Sequence, residues 1–427
     1  MREERLKHVA EIHVSNVDKK SFEGDVPVSL CNYTDVYYNE RITGSLDFMF
    51  ATATRDQRAT FGLTRGDVVL TKDSETAEDI GVSALVAEDV PDLVCGYHLA
   101  VVRARAGSAD GGYLRWVLAS TAARQRMSAA ATGVTRFGLR SEAIADLPVP
   151  LPPFGHQRAI AEYLDRETGR IDALISAKRR LMELLEERWQ VVMHDAVAGM
   201  LVSHPHARRA TSVPWLTDVP GHWREGLLKL VATLGSGHTP SRSHPEWWVD
   251  LTIPWITTGE VAQMRSDRIE LITDTRERIS ELGMANSSAA LRPAGTVVLC
   301  RTASAGYSSI MGSDMATSQD FATWTCGPLL RPRFLLLCLR AMRADLLGRL
   351  AMGSTHQTIY MPDIEAIKLP IPPVEEQDAI VSAVYSHQRS LDACSVNLGD
   401  QIGLLQERRQ ALITAAVTGQ LSLPEAA

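Results

Sequence analysis

The first chemical lead in this sequence is a basic residue placed at the end of a short β-branched run, and the pattern occurs twice. Gly66-Asp67-Val68-Val69-Leu70-Thr71-Lys72 and Gly295-Thr296-Val297-Val298-Leu299-Cys300-Arg301 each read as a turn glycine, a strand and then a cation. A cation leaving a strand into a loop of Ser, Thr and Gly reaches an anionic groove without burying its charge. Two further stretches, Gly133-Val134-Thr135-Arg136-Phe137 and Gly353-Ser354-Thr355-His356-Gln357, set hydroxyl, basic and amide donors side by side. The motifs of catalytic chemistry are missing. There is no Gly-x-x-x-x-Gly-Lys-Ser/Thr phosphate cradle, no Gly-x-Gly-x-x-Gly after a strand, no His-Glu-x-x-His and no Gly-x-Ser-x-Gly. His204, His206, His238 and His244 lack the convergent partners of a metal site and read as solvated loop histidines. Leu151-Pro152-Pro153-Phe154 has the outline of an adenine-methyltransferase motif, but leucine stands where its amide donor is required.

The elements that position these donors come in two copies. Ile144 to Leu201 recurs without a gap as Ile364 to Leu421, 220 positions later, with about eighteen of fifty-eight residues identical. That period is too long for a solenoid of short units, where repeats run roughly 20–50 residues. The chain therefore reads as one large module used twice, able to present two similar surfaces about an approximate two-fold axis. Each repeated segment opens on Pro-Pro (Pro152-Pro153, Pro372-Pro373), which forces extended backbone, and continues as a long helical pattern. The first copy places Ile160, Leu164, Glu167, Ile171, Leu174, Lys178, Leu181, Leu185, Arg188 and Val192 at alternating spacings of four and three. The second places Ile380, Val384, His387, Leu391, Cys394, Leu398, Gln401, Leu405, Arg408 and Leu412 in the same register. These are coiled-coil heptads. Packing inside a helical bundle is the plainer account of one such stripe, but two matched stripes favour mutual pairing. A two-fold that exchanges the modules reverses the helix, so the pair is expected to be antiparallel, with ends near Gly199 and Gly419. Strands and helices mix in the remainder, and the expected class is α/β or α+β. The predicted organisation is a globular domain over 1–150, a helical spacer over 151–205, a second globular domain over 206–370 and a second spacer over 371–427. Ser203 to Pro220 reads as a linker.

A chain of 427 residues, 45% hydrophobic and 22% charged, has the composition of an ordinary multi-domain soluble protein. Its N-terminal residues lack the apolar core of a secretion signal, and Phe334 to Leu339 is far too short to span a bilayer. The six cysteines never form Cys-x-x-Cys and read as reduced thiols, so a cytoplasmic location is expected. The net charge of −7 argues against nucleic acid as a partner, although the local field of a basic loop governs binding more than the total.

Gly353-x-Thr355-x-Gln357, followed by Ile364-x-x-Ile367-x-Leu369-Pro370-Ile371-Pro372-Pro373-x-Glu375-x-Gln377-x-x-Ile380, resembles the junction motif of type I restriction–modification specificity subunits. The first copy departs from it, with Gly155 in place of the glutamate and Arg136-Phe137 in place of the polar pair. The resemblance extends over the whole chain as two target-recognition domains alternating with two helical spacers. It implies a subunit without catalytic activity, each of whose recognition domains reads one half of a split, asymmetric site in double-stranded DNA. It further implies two modification subunits that bind S-adenosylmethionine and methylate adenine, and two restriction subunits that translocate and cut. No cofactor is expected in this chain; S-adenosylmethionine, ATP and Mg belong to the partners.

On that footing the donor residues take roles. Lys72, Arg136, Arg301, His356 and Gln357 are candidate base readers, since such side chains pair bidentately with base edges. Thr71, Thr135, Thr257, Thr258, Thr302, Ser304 and Thr355 are candidate phosphate binders. Any one of them reads equally well as a solvated loop residue. Tyr33, Tyr37 and Tyr307 have faces that would stack on bases, although core packing explains them too. Two alternatives stay open: the same architecture serving a solitary methyltransferase or a fused methyltransferase–nuclease, and a scaffold that pairs proteins without DNA.

Overall fold

The structure, a computed structural model, describes residues 2–202, 207–350 and 357–421. It divides into two compact units. Met1–Arg179 with Leu398–Ala427 forms the first, and Arg180–Asn397 the second. Each unit therefore holds a globular part with a portion of each of two long helices, Phe154–Val197 and Val374–Val417.

The two globular parts share one topology. In the first unit a five-stranded sheet runs in the order Ala10–Val14, Leu99–Ala104, Val68–Thr71, Ser83–Val86, Arg41–Ile42, antiparallel except for its last pair. The second unit repeats that order with Ala232–Ser236, Phe321–Cys326, Val297–Cys300, Ser308–Met311 and Leu271–Ile272, again parallel only at the last pair. A three-stranded sheet accompanies each. Met49–Ala53, Val26–Cys31 and Leu93–Cys95 form the first, and Glu277–Ile279, Ile253–Ile256 and Ala316–Thr317 the second. The uniformly apolar runs found in the sequence are the central strands of the five-stranded sheets, which are covered on both faces. Side chains alternate across a strand, so Val68 and Leu70 enter one core while Val69 enters another. Val297 and Leu299 part from Val298 and Cys300 in the same way.

The Pro-Pro junctions hold a strand to a helix. Pro148–Leu151 pairs with Arg2–Arg5, and Lys368–Ile371 pairs with Arg224–Leu227, before each long helix begins. Both helices end on the same cap. Gly199 and Gly419 adopt φ of 76° and 74°, and the next N–H, of Met200 or Gln420, reaches back to the carbonyl of Asp195 or Ala415. That is the Schellman arrangement, open to glycine because it has no Cβ to clash in the left-handed region.

The mixed α/β class with two long paired helices is observed, and inside the first unit the helices run antiparallel. Lys178 bonds Gln401 while Asp172 bonds Arg409, so one number rises as the other falls. The register differs from the sequence reading at alternate positions. The covered stripe on the first helix is Leu164, Thr168, Ile171, Ile175, Lys178, Met182, Leu185, Trp189, Val192 and Ala196, while Leu174 is 52% exposed and Arg188 faces solvent. The second helix covers Val384, Gln388, Leu391, Ser395, Leu398, Ile402, Leu405 and Arg409, leaving His387, Cys394, Gln401 and Arg408 exposed. Both stripes keep the four–three spacing, so spacing alone could not choose between neighbouring series. The segment read as a linker is also structured within the described residues. Arg208–Ala210 pairs with Asp218–Pro220, and Val213, Leu216 and Val219 are buried in the second unit's core.

Candidate nucleic-acid interface

In the first unit the expected donors gather where the strand Val68–Thr71 leaves its sheet. The next backbone, Asp73–Ser74, pairs with Phe137–Gly138, and the Leu139 N–H donates to the Lys72 carbonyl at 2.7 Å. This holds Lys72 beside the loop at 133–136. Thr132 and Gly138 exchange backbone bonds of 3.1 and 2.9 Å across the base of that loop. Gly133 has φ of 151°, and a Cβ there would lie 1.9 Å from the Arg136 carbonyl oxygen, so only glycine closes the loop. Val134, Thr135 and Arg136 are left facing solvent.

The second unit rebuilds the same ladder with other side chains. The Arg301 N–H donates to the Asp320 carbonyl as that of Lys72 donates to His98, and the Ile359 N–H donates to the Arg301 carbonyl as that of Leu139 donates to Lys72. Arg301, Thr302 and Ser304 therefore lie together, with exposed Gln357 one residue from the Thr302–Thr358 bridge. Thr355 and His356 lie outside the described residues. Thr257 follows the strand Ile253–Ile256, whose Ile256 carbonyl accepts the Ser318 N–H, which brings it to the same end of the fold.

The individual placements differ in what they leave available. Thr71 is fully buried, and its hydroxyl accepts the Val82 N–H at 2.9 Å. Lys72 donates to Asp73 at 2.9 Å. Thr257 caps a short helical turn, accepting the Gly259 N–H and donating to buried Glu260, while neighbouring Thr258 is exposed. Arg301 donates from Nε to the Gln319 carbonyl at 2.9 Å, Thr302 donates to Asp320 at 2.5 Å, and the Ser304 N–H donates to the Thr302 carbonyl. Tyr33 stacks on Tyr37, whose hydroxyl donates to Asp79 at 2.6 Å, a bond that pushes the Tyr37 phenol up to about 12. Tyr307 packs beneath Arg343 against a core cluster.

Several residues at these ends were given no recognition role by the sequence reading. His98 contacts Asp73 at 2.8 Å and Arg136 at 3.5 Å, across separations of 25 and 38 residues that no local spacing reveals. Burial opposes ionisation of Asp73, but its bonds to His98 and Lys72 prevail and hold its carboxyl below the usual range. Tyr38 is 76% exposed against Tyr37. In the second unit Thr239 bonds Gln319, Arg242 lies over Trp248 at 3.7 Å, and exposed His244 stacks on Trp247 at 4.2 Å. Clustered Trp, His and Arg in 238–248 were the signal available for these. Among the described residues no group of three or more His, Cys, Asp or Glu is placed to hold a metal ion.

Between them the two ends offer guanidinium, hydroxyl, amide and aromatic groups at a sheet edge, a set suited to reading a polyanion. Residues 220–395 match the family described as the type I restriction modification DNA specificity domain. The type I restriction enzyme EcoBI specificity subunit of Escherichia coli is 20% identical over 318 residues, which are 73% of this chain and 64% of that protein. The match thus spans about two thirds of the curated relative's length. Among solved structures, a chain from a study of complex assembly and conformational transition in the type I R-M system superposes with a TM-score of 0.70 at 19% identity. It covers 98% of both chains. The HsdS subunit from Thermoanaerobacter tengcongensis superposes with a TM-score of 0.58 at 18% identity, covering 98% of this chain and 97% of its own. At such identities the structural likeness speaks for the fold.

Proposed function

We propose that this chain, whose residues 220–395 match the type I restriction modification DNA specificity domain, is a type I restriction–modification specificity subunit that reads DNA without acting on it. Each of the two recognition domains, 1–150 and 206–370, reads one half of a split, asymmetric duplex site. The spacers, 151–205 and 371–427, set the number of unread base pairs between the halves. The observation that carries this reading is the twin sheet-edge ladder, one backbone frame bearing Lys72 and Arg136 in one unit and Arg301 and Gln357 in the other. A shared frame with different donors is what two readers of different sequences need. Thr135, Thr258 and Ser304 lie beside those donors as phosphate contacts; Thr71, Thr257 and Thr302 support the loops from within.

In this reading catalysis resides in the partners: two modification subunits with S-adenosylmethionine, and two restriction subunits with ATP and Mg, assembled in the cytoplasm. Leu181, Leu184 and Val191 support a docked partner, as an apolar stripe left exposed on the first long helix outside its covered seam. No helix among the described residues is long and apolar enough to cross a membrane. The test is to express the chain with its modification subunit and map methylated adenines with and without it. The expected result is one two-part asymmetric motif that disappears with this chain. Methylation at the motif without it would refute the proposal. A purified complex that bound no duplex would favour the scaffold reading.

A further inference from the structure

Three side chains from separate stretches of the first unit form a relay. Asp73 follows the strand Val68–Thr71, His98 precedes Leu99–Ala104, and Arg136 closes the exposed loop at 133–136. His98 Nδ1 lies 2.8 Å from an Asp73 carboxylate oxygen, and Arg136 Nη2 lies 3.5 Å from His98 Nε2. A guanidinium has only donors, so His98 Nε2 is the acceptor, and the ring proton sits on Nδ1 where it is donated to Asp73. Lys72 bonds the same Asp73 oxygen, Oδ2, at 2.9 Å, and the Tyr97 ring lies 3.6 Å from the imidazole between centroids. Lys72, Asp73, Tyr97 and Arg136 are thus the charged and titratable groups facing the imidazole, with the Tyr33 phenol in electrostatic reach of Arg136.

We infer that His98 is a positioning residue that presents Arg136 to a guanine edge in the half-site read by the first unit. The inference rests on the DNA-reading function proposed above. Arg136 is exposed and aimed by one acceptor, whereas the Lys72 ammonium is already held by Asp73. The second unit has Thr302 and Asp320 at the matching cross-strand positions, so the Asp73–His98 pair has no counterpart there among the described residues. The half-site read by the second unit is therefore the internal control.

The test uses the assembled methyltransferase, with its target known from its own methylation pattern, on duplexes varied one base pair at a time. Binding is measured for each complex at one pH and one salt concentration. The unmodified complex is expected to discriminate about 5- to 150-fold at one G·C pair. Arg136→Ala and His98→Leu lose that discrimination. His98→Gln, whose amide oxygen replaces the Nε2 acceptor, keeps it. A His98→Leu complex that discriminates like the unmodified one overturns the inference while leaving DNA reading intact. A complex without sequence preference at any position overturns both.

Discussion

Gln157 and Gln377 each saturate one buried amide with three backbone partners, and in the same places. Gln157 accepts the Asp110 N–H at 2.9 Å and donates to the carbonyls of Pro152 and Ser108. Gln377 accepts the Arg331 N–H at 2.8 Å and donates to the carbonyls of Pro372 and Leu329, both at 2.9 Å. The glutamine that marks the junction motif in sequence is therefore a lock between helix start, strand end and the neighbouring helix. Replacing it strands three buried backbone groups. Gln377→Leu is expected to destabilise the chain by about 3 kcal/mol, against less than about 0.5 for exposed Glu375→Ala, read as urea midpoints of the purified protein. Equal midpoints for the two would remove the lock. The motif was legible in sequence, but its physical reason was not, because two of the three partners of each glutamine lie 46–49 residues away. His98 was illegible for the same cause. A lone histidine after Tyr97 announces nothing until the sheet brings Asp73 and Arg136 to it.

The long helices teach a different lesson, since the sequence reading found their existence, ends and antiparallel sense yet shifted every second seam position by one residue. A heptad stripe of Leu164, Ile171, Lys178 and Leu185 is common to both series. The intervening position is contested between Leu174 and Ile175, Leu181 and Met182, and Arg188 and Trp189. Leucine at 174 and 181 looked like the better seam residue, but what covers the helix is the globular part beside it as well as its partner helix. Trp189 settles the register in the second unit, being 1% exposed with Arg268 over its ring at 5.1 Å. Trp189→Ala is accordingly expected to cost about 3–5 kcal/mol, and Arg188→Ala within about 0.5 kcal/mol of nothing. Thermal or denaturant unfolding of the two variants compares them directly, and the reverse order would restore the sequence-based register. The spacer role is tested on the same elements. One extra heptad in each helix adds about 10 Å, so the unread gap should grow by roughly three base pairs. A methylation motif with unchanged spacing would rule the role out.

At the scale of the whole molecule, the two units keep one topology while their donors diverge, and this is the ground for treating recognition as divisible. The strand order, the parallel edge pair and the two backbone bonds at Lys72 and Arg301 are repeated. The residues carried on that frame are not: Asp73 and His98 in one unit become Thr302 and Asp320 in the other. Residues 206–365 lie wholly within the second unit and stop short of both long helices, so replacing them leaves the helices in place, while groups that cover them, such as Arg268 over Trp189, come from the donor segment. Among the contacts that cross the cut, one is made by a side-chain pair at the start of the replaced segment. Trp223 donates to Glu376 at 2.8 Å and His222 contacts the same carboxylate at 2.7 Å, so the donor segment must supply an equivalent pair. With that pair kept, exchange of 206–365 for the matching part of a related subunit is expected to change one half of the methylated motif. The other half and the spacing should remain. Sequencing of methylated adenines in cells carrying the hybrid reads all three at once. Both halves changing together would mean that the two reading surfaces are coupled through the protein, and the repeated frame would then be ancestry without independence.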